Sequence, residues 1–119
     1  MFRTKSTGIN YYKDSFMKLS VNKEQIIEGL QKAAAIIPAK AGAAYLRSIW
    51  LKAEKGSLSI MATDANIEFT GRYPAEVKQP GLIGVQGRAF VDLVRQLPAG
   101  VLQLTLDEST GNLLLEQGR

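Results

Sequence analysis

Residues 17–34 read MKLSVNKEQIIEGLQKAA, and the fold turns on how this stretch is parsed. Phe16, Leu19 and Val21 mark a short extended segment. Asn22 follows as a helix N-cap, with Gln25 three residues on. Ile26, Ile27, Leu30, Ala33, Ala34 and Ile37 then recur at spacings of one, three and four, which collects them on one helical face. Pro38 ends the helix because it lacks a backbone donor and clashes with the preceding turn. Glu24, Glu28, Gln31 and Lys32 fall on the opposite face, toward water or a partner. A strand leading directly into an amphipathic helix is the opening of the domain.

Downstream, Leu46–Glu54 and Ser57–Thr63 are two strand-like runs separated by Lys55-Gly56, a hairpin signal. Asp64-Ala65-Asn66 is a second turn, and Ile67–Tyr73 a third strand closed by Pro74. The order then repeats. A strand at Leu82–Val85 leads into a helix at Arg88–Leu97 with apolar Phe90, Val91, Leu93, Val94 and Leu97, stopped by Pro98. A hairpin of Val101–Leu106 and Asn112–Gln117 follows through residues 107–111. The two strand–helix–strand–strand units start roughly 65 residues apart. They predict an α+β fold in which two helices lie side by side on one face of antiparallel sheets, related by pseudo-two-fold symmetry. The second unit lacks the third strand that the first one has, so an open sheet edge is expected there.

Residues 1–16, MFRTKSTGINYYKDSF, show neither helical nor strand periodicity. They are read as an extension, a flexible tail or a leader from an upstream start, with residues 17–119 as the domain proper. Of the 119 residues, 15 are basic and 11 acidic, for a net charge of +4. Setting aside Arg3, Lys5, Lys13 and Asp14 leaves 12 basic against 10 acidic, a net +2. Such an excess permits a polyanion partner without requiring one. There is no Cys and no His, which removes disulfides, thiolate nucleophiles, Cys-ligated zinc and the commonest general base. No apolar run approaches the roughly 18 residues of a membrane span, and a cytoplasmic protein without cofactor or metal is expected.

Three stretches carry a family resemblance: Met17–Ala34, the hairpin ending in Met61-Ala62-Thr63-Asp64, and residues 88–98, RAFVDLVRQLP. In this order and spacing they resemble the N-terminal domain of the bacterial sliding clamp, the beta subunit of DNA polymerase III. The resemblance runs from Met17 to Arg119, with the last strand of the domain missing. It implies a DNA-clamp fold and a non-catalytic processivity factor. Three such domains per chain and two chains head to tail would form a ring, with helices lining the hole around double-stranded DNA. Polymerase and clamp loader would bind through other domains. It also implies that Lys40, in the loop after the first helix, and Arg88, opening the second, face DNA. Arg95 lies two turns further along that helix, and Lys32 is added from helical periodicity alone. The loop departs from the family pattern, having Lys40-Ala41-Gly42-Ala43-Ala44-Tyr45 where clamps commonly have Arg-Pro-Thr-Leu-Pro-Ile.

Each of these residues also has a plainer reading. Lys32, Arg88 and Arg95 can simply solvate amphipathic helices, and Arg88 can pair with Asp92. Arg88 lies off the Phe90–Leu93–Leu97 stripe and is expected to be dispensable for folding. Asp64, Glu68 and Glu76 form an acidic group, but Asp64 sits in a turn where a short carboxylate caps its own backbone. Trp50 is expected to pack rather than to stack on bases. Beside the clamp reading stands a protein-interaction module of the same fold without a DNA role, distinguished by where the basic residues point.

Overall fold

The computed structural model describes residues 2–10, 17–37, 48–64, 66–106 and 112–117. Two helices and nine strands are present among them: β1 (Phe2–Asn10), β2 (Lys18–Asn22), α1 (Lys23–Ile36), β3 (Ser48–Glu54), β4 (Ser57–Thr63), β5 (Glu68–Pro74), β6 (Glu76–Gln79), β7 (Gly81–Gln86), α2 (Gly87–Gln96), β8 (Val101–Leu106) and β9 (Asn112–Gln117). Every strand pairing is antiparallel, and the sheet order is β5-β4-β3-β7-β1-β9-β8-β2-β6.

The alternation along each strand aims one set of side chains at the helices. On β3 these are Ile49, Leu51 and Ala53; on β4, Leu58, Ile60 and Ala62; on β8, Leu102, Leu104 and Leu106. Against them α1 buries Ile26, Gly29, Leu30 and Ala33, and α2 buries Gly87, Phe90, Val91 and Val94. Burial of a Leu, Ile or Phe side chain contributes about 1.5–3 kcal/mol, so this single cluster, from Met17 to Leu115, is what holds the two layers together. Both helices start and end as the sequence suggests. Asn22 Oδ1 accepts from the Glu24 amide at 3.0 Å, and Gln86 Oε1 caps α2 from the Ala89 amide at 2.7 Å. At the C-termini the Ile37 and Leu97 amides donate back to the Ala34 and Val94 carbonyls.

A pseudo-two-fold relates the halves, and the pairings state it fully. Exchanging β2 with β7, β3 with β8, β4 with β9 and α1 with α2 turns β3–β7 into β8–β2 and β3–β4 into β8–β9. In the first half β5 pairs with β4 and β6 with β2, the two strands being separated only by Ala75. In the second half both places are taken by β1, whose residues 2–7 pair with β9 and residues 8–10 with β7.

Two expectations therefore differ from the structure. Residues 2–10 form a strand rather than a loose tail, and the edge of β9 left open by the sequence reading is occupied by it. The reason is that a strand can be stabilised by an edge far away in sequence, a signal its own periodicity does not contain. The short β6 was also missed, since four residues of mixed polarity are too few to show alternation. The turn at residues 107–111 and the loop at 38–47 lie outside the described residues.

Candidate nucleic-acid interface

The helices lie antiparallel on the outside of the apolar layer, and their free faces meet in a trough of about 340 Å³ lined by Gln31, Ala34, Ala35, Arg88, Val91, Asp92 and Arg95. Ala34 and Ala35 contribute only methyl groups to its lining, while Ala33 is turned into the core. Arg88 and Arg95, which line the trough, are exposed, and Lys32 is exposed on α1 outside its lining. Lys40 lies outside the described residues.

The charges are only partly free. Arg95 sits 3.5 Å from Asp92 one turn earlier, and Lys32 3.1 Å from Glu28. All four side chains are more than half exposed, so each pair is worth a few tenths of a kcal/mol at most and opens readily to a competing anion. The anticipated Arg88–Asp92 pair does not form, since Asp92 faces Arg95 instead. Counting ionic groups, α1 carries Lys23, Glu24, Glu28 and Lys32 and is neutral, while α2 carries Arg88, Asp92 and Arg95 for +1. The face is thus weakly cationic, without a deep groove to admit a base edge.

Arg88 does something the sequence did not suggest. Its guanidinium donates to the carbonyl of Ile37, the C-cap of α1, at 3.1 Å. At the other end of the pair Lys23, the first residue of α1, donates from Nζ to the carbonyls of Arg95 (3.2 Å) and Leu97 at the end of α2. The arrangement is reciprocal: a cation near the N-terminus of each helix satisfies orphan carbonyls at the C-terminus of the other. A cation at the start of its own helix opposes that dipole, and reaching the negative end of the neighbour offsets the penalty. The Lys23 amide to Gly100 carbonyl bond (2.9 Å) and the Gly100 amide to Glu24 Oε2 bond (3.1 Å) fasten the same corner. Arg88 is therefore also a tie between helices, and the expectation that folding is indifferent to it is corrected. Lys23 was missed because it precedes the apolar stripe and its partners are more than 70 residues away.

The acidic group resolves as turn chemistry. Asp64 Oδ1 accepts from the amides of Asn66 (2.8 Å) and Ile67 (2.6 Å), and these bonds hold its carboxyl below the ordinary carboxylate range. Among the described residues no three acidic side chains converge on a possible metal position. Trp50 stands on the sheet face opposite Ile49 and Leu51, across from Gly84 in β7, where a Cβ would lie 3.0 Å from the indole. It is half-buried packing against a glycine, on the side away from the helices.

A profile of the DNA polymerase III beta subunit, N-terminal domain, matches residues 17–119. The chain belongs to that family. The beta sliding clamp of Streptomyces coelicolor is 32% identical over 91 residues, covering 76% of this chain and 24% of the relative. That of Pseudomonas aeruginosa is 30% identical over 105 residues, covering 87% and 28%. Among solved structures, the polymerase III beta subunit of Caulobacter crescentus superposes with a TM-score of 0.81 at 27% identity, over 87% of this chain and 28% of that one. The Bacillus subtilis sliding clamp gives 0.82 at 21% identity, a likeness of fold. The chain thus spans about a quarter of the length of the relatives it matches.

Proposed function

We propose that this chain is the first domain of a ring-forming, non-catalytic processivity clamp that encircles duplex DNA and tethers the replicative polymerase. In this reading Arg88, Arg95 and Lys32 on the α1–α2 face, with Lys40 beyond α1, touch phosphates without reading sequence. Two chains close head to tail, and the polymerase and clamp loader dock on other domains of the ring. The observation that carries the reading is the exposure of Arg88, Arg95 and Lys32 on the two helices of a domain of the clamp family. Phosphate contacts of this kind are electrostatic, and their strength scales with the number of counterions released.

The test is binding of the chain to a linear duplex over a salt series. With the four proposed cations, Lys40 included, the log–log salt slope should be no steeper than about −4. Removing Arg95 or Lys32 to Ala should reduce its magnitude by about one each, with the melting temperature held within a degree or two. Tight, sequence-dependent binding at physiological salt would refute the tethering mechanism. A slope near zero that neither substitution changes would favour the protein-interaction module instead.

A further inference from the structure

We infer that Lys23 is a positioning residue for the phosphate contact of Arg95, an inference that rests on the duplex-DNA reading of the two helices. Arg95 stands in the last turn of α2, one residue before the helix ends at Gln96. The last turn of a helix has carbonyls without intrahelical partners, and it is where helices fray. A cation there holds no fixed place unless something outside the helix secures the turn. In this domain the carbonyls that follow Gln96 are taken up one after another by groups of α1 and β9. Leu97 O accepts from Lys23 Nζ, Pro98 O from Gln117 Nε2 at 2.7 Å, Ala99 O from the same nitrogen at 3.5 Å, and Gly100 O from the Lys23 amide at 2.9 Å. The carbonyl of Arg95 itself accepts from Lys23 Nζ at 3.2 Å, and the Gly100 amide donates to Glu24 Oε2. Lys23 thus holds this segment through its side chain and its main chain at once.

While α2 stays helical, Arg88 and Arg95 lie about 10 Å apart along its axis. Arg88 is anchored at its own end by the Ile37 carbonyl, and Lys23 secures the other end. The Lys23 ammonium has three donors, and two of them are spent on carbonyls at the negative end of the α2 dipole. Its effect on DNA therefore runs through Arg95 rather than through a phosphate of its own. The joint can also be disturbed without touching a charge, because Gly100 has a φ of 128°, a conformation that an L side chain rarely adopts.

The test is a double-mutant cycle on binding of the chain to a linear duplex over a salt series, run well below the melting temperatures of all variants. Lys23→Met should weaken binding by about threefold to tenfold. The salt slope should stay unchanged, since no phosphate contact of Lys23 is lost. In the Arg95→Ala background the same substitution should have no further effect, and Lys23→Arg should keep the parental affinity. Gly100→Ala should reproduce both the loss and its dependence on Arg95. Where Lys23→Met does not fold, Lys23→Gln is read in its place. The inference is overturned by an affinity that Lys23→Met leaves unchanged, by equal losses with and without Arg95, or by a slope that Lys23→Met lowers by about one. A Gly100→Ala chain of parental affinity would overturn it as well, since the charge of Lys23 alone would then be acting. A parent chain whose duplex binding does not depend on salt would refute the DNA reading itself, and the inference with it.

Discussion

Replacing Gly29 by Ala should destabilise the protein, although helix propensity argues the opposite. Gly29 is in α1, where Ala is favoured over Gly by about 1 kcal/mol. The position is buried, however, and the space beside it is filled by Tyr73 of β5, whose ring lies over Gly71. A Cβ on Gly29 would sit 2.0 Å from the Tyr73 hydroxyl oxygen and 2.4 Å from Cζ, with a second approach of 2.3 Å from a Cβ on Gly71 to the same hydroxyl. Ordinary contact needs about 3.5 Å, so ring or helix must move by about 1.5 Å. Overpacking of this kind costs about 1–3 kcal/mol, and swinging the ring out loses a comparable amount of burial. The net change is a loss of about 1–2 kcal/mol, a fall of roughly 4–8 °C in melting temperature. The assay is thermal and urea unfolding of the parent, Gly29→Ala, Tyr73→Leu and the double variant. In the Tyr73→Leu background the Ala should become stabilising, because only the propensity remains, and the cycle should show a coupling above about 1 kcal/mol. If Gly29→Ala is neutral or stabilising with Tyr73 in place, the packing argument is wrong.

Lys23→Met, which keeps the length of the side chain but removes its donor, should cost about 1–2 kcal/mol because two carbonyls at the end of α2 lose a charged partner; chemical denaturation reads it. Arg88→Ala should cost a similar amount and, unlike Arg95→Ala, should lower both melting temperature and duplex affinity. Asp64→Ala should be less stable than the parent at neutral pH. The depressed carboxyl of Asp64 contributes stability that is present above the unfolded value, near pH 4, and is lost as pH falls through the folded value. The difference between the two chains should thus close below about pH 4, as followed by unfolding at a series of pH values.

The helices were legible because their information is local. Ile26, Leu30 and Ala33, and likewise Phe90, Val91 and Val94, repeat at helical spacing, and Asn22 sits where a cap belongs. Hairpins joined by Lys55-Gly56 and by residues 107–111 are local in the same sense, and Gly56 adopts the positive φ of 77° that such a turn favours. The parts that escaped depend on partners distant in sequence. β1 needs the edges of β9 and β7, β6 needs β2, and the ties from Lys23 and Arg88 need carbonyls 74 and 51 residues away. Periodicity says that a cation is off the core stripe, but not whether its end group meets water or the end of another helix. Arg88 and Lys23 show the difference, since either would pass for a solvating side chain.

That distinction bears on the proposed contact with DNA. A ring that slides needs phosphate contacts that form and break without a deep minimum, since a deep one would hold it at one place. Cations that are exposed and paired to exposed carboxylates, as Arg95 with Asp92 and Lys32 with Glu28, suit this. Phosphate replaces a partner worth only a few tenths of a kcal/mol, and the carboxylate is ready to take the cation back. Arg88 is of another kind. Its guanidinium has five donors, and the bond to Ile37 uses only NH2. The donors that remain can meet a phosphate while the helix pair stays tied, which places a fixed positive charge at the mouth of the trough between α1 and α2. A Lys at this position would offer one ammonium to both tasks, so Arg88→Lys should keep the net charge and the salt slope yet weaken either the helix tie or the DNA contact. A substitution that preserved melting temperature, affinity and slope together would show that the guanidinium does not serve both.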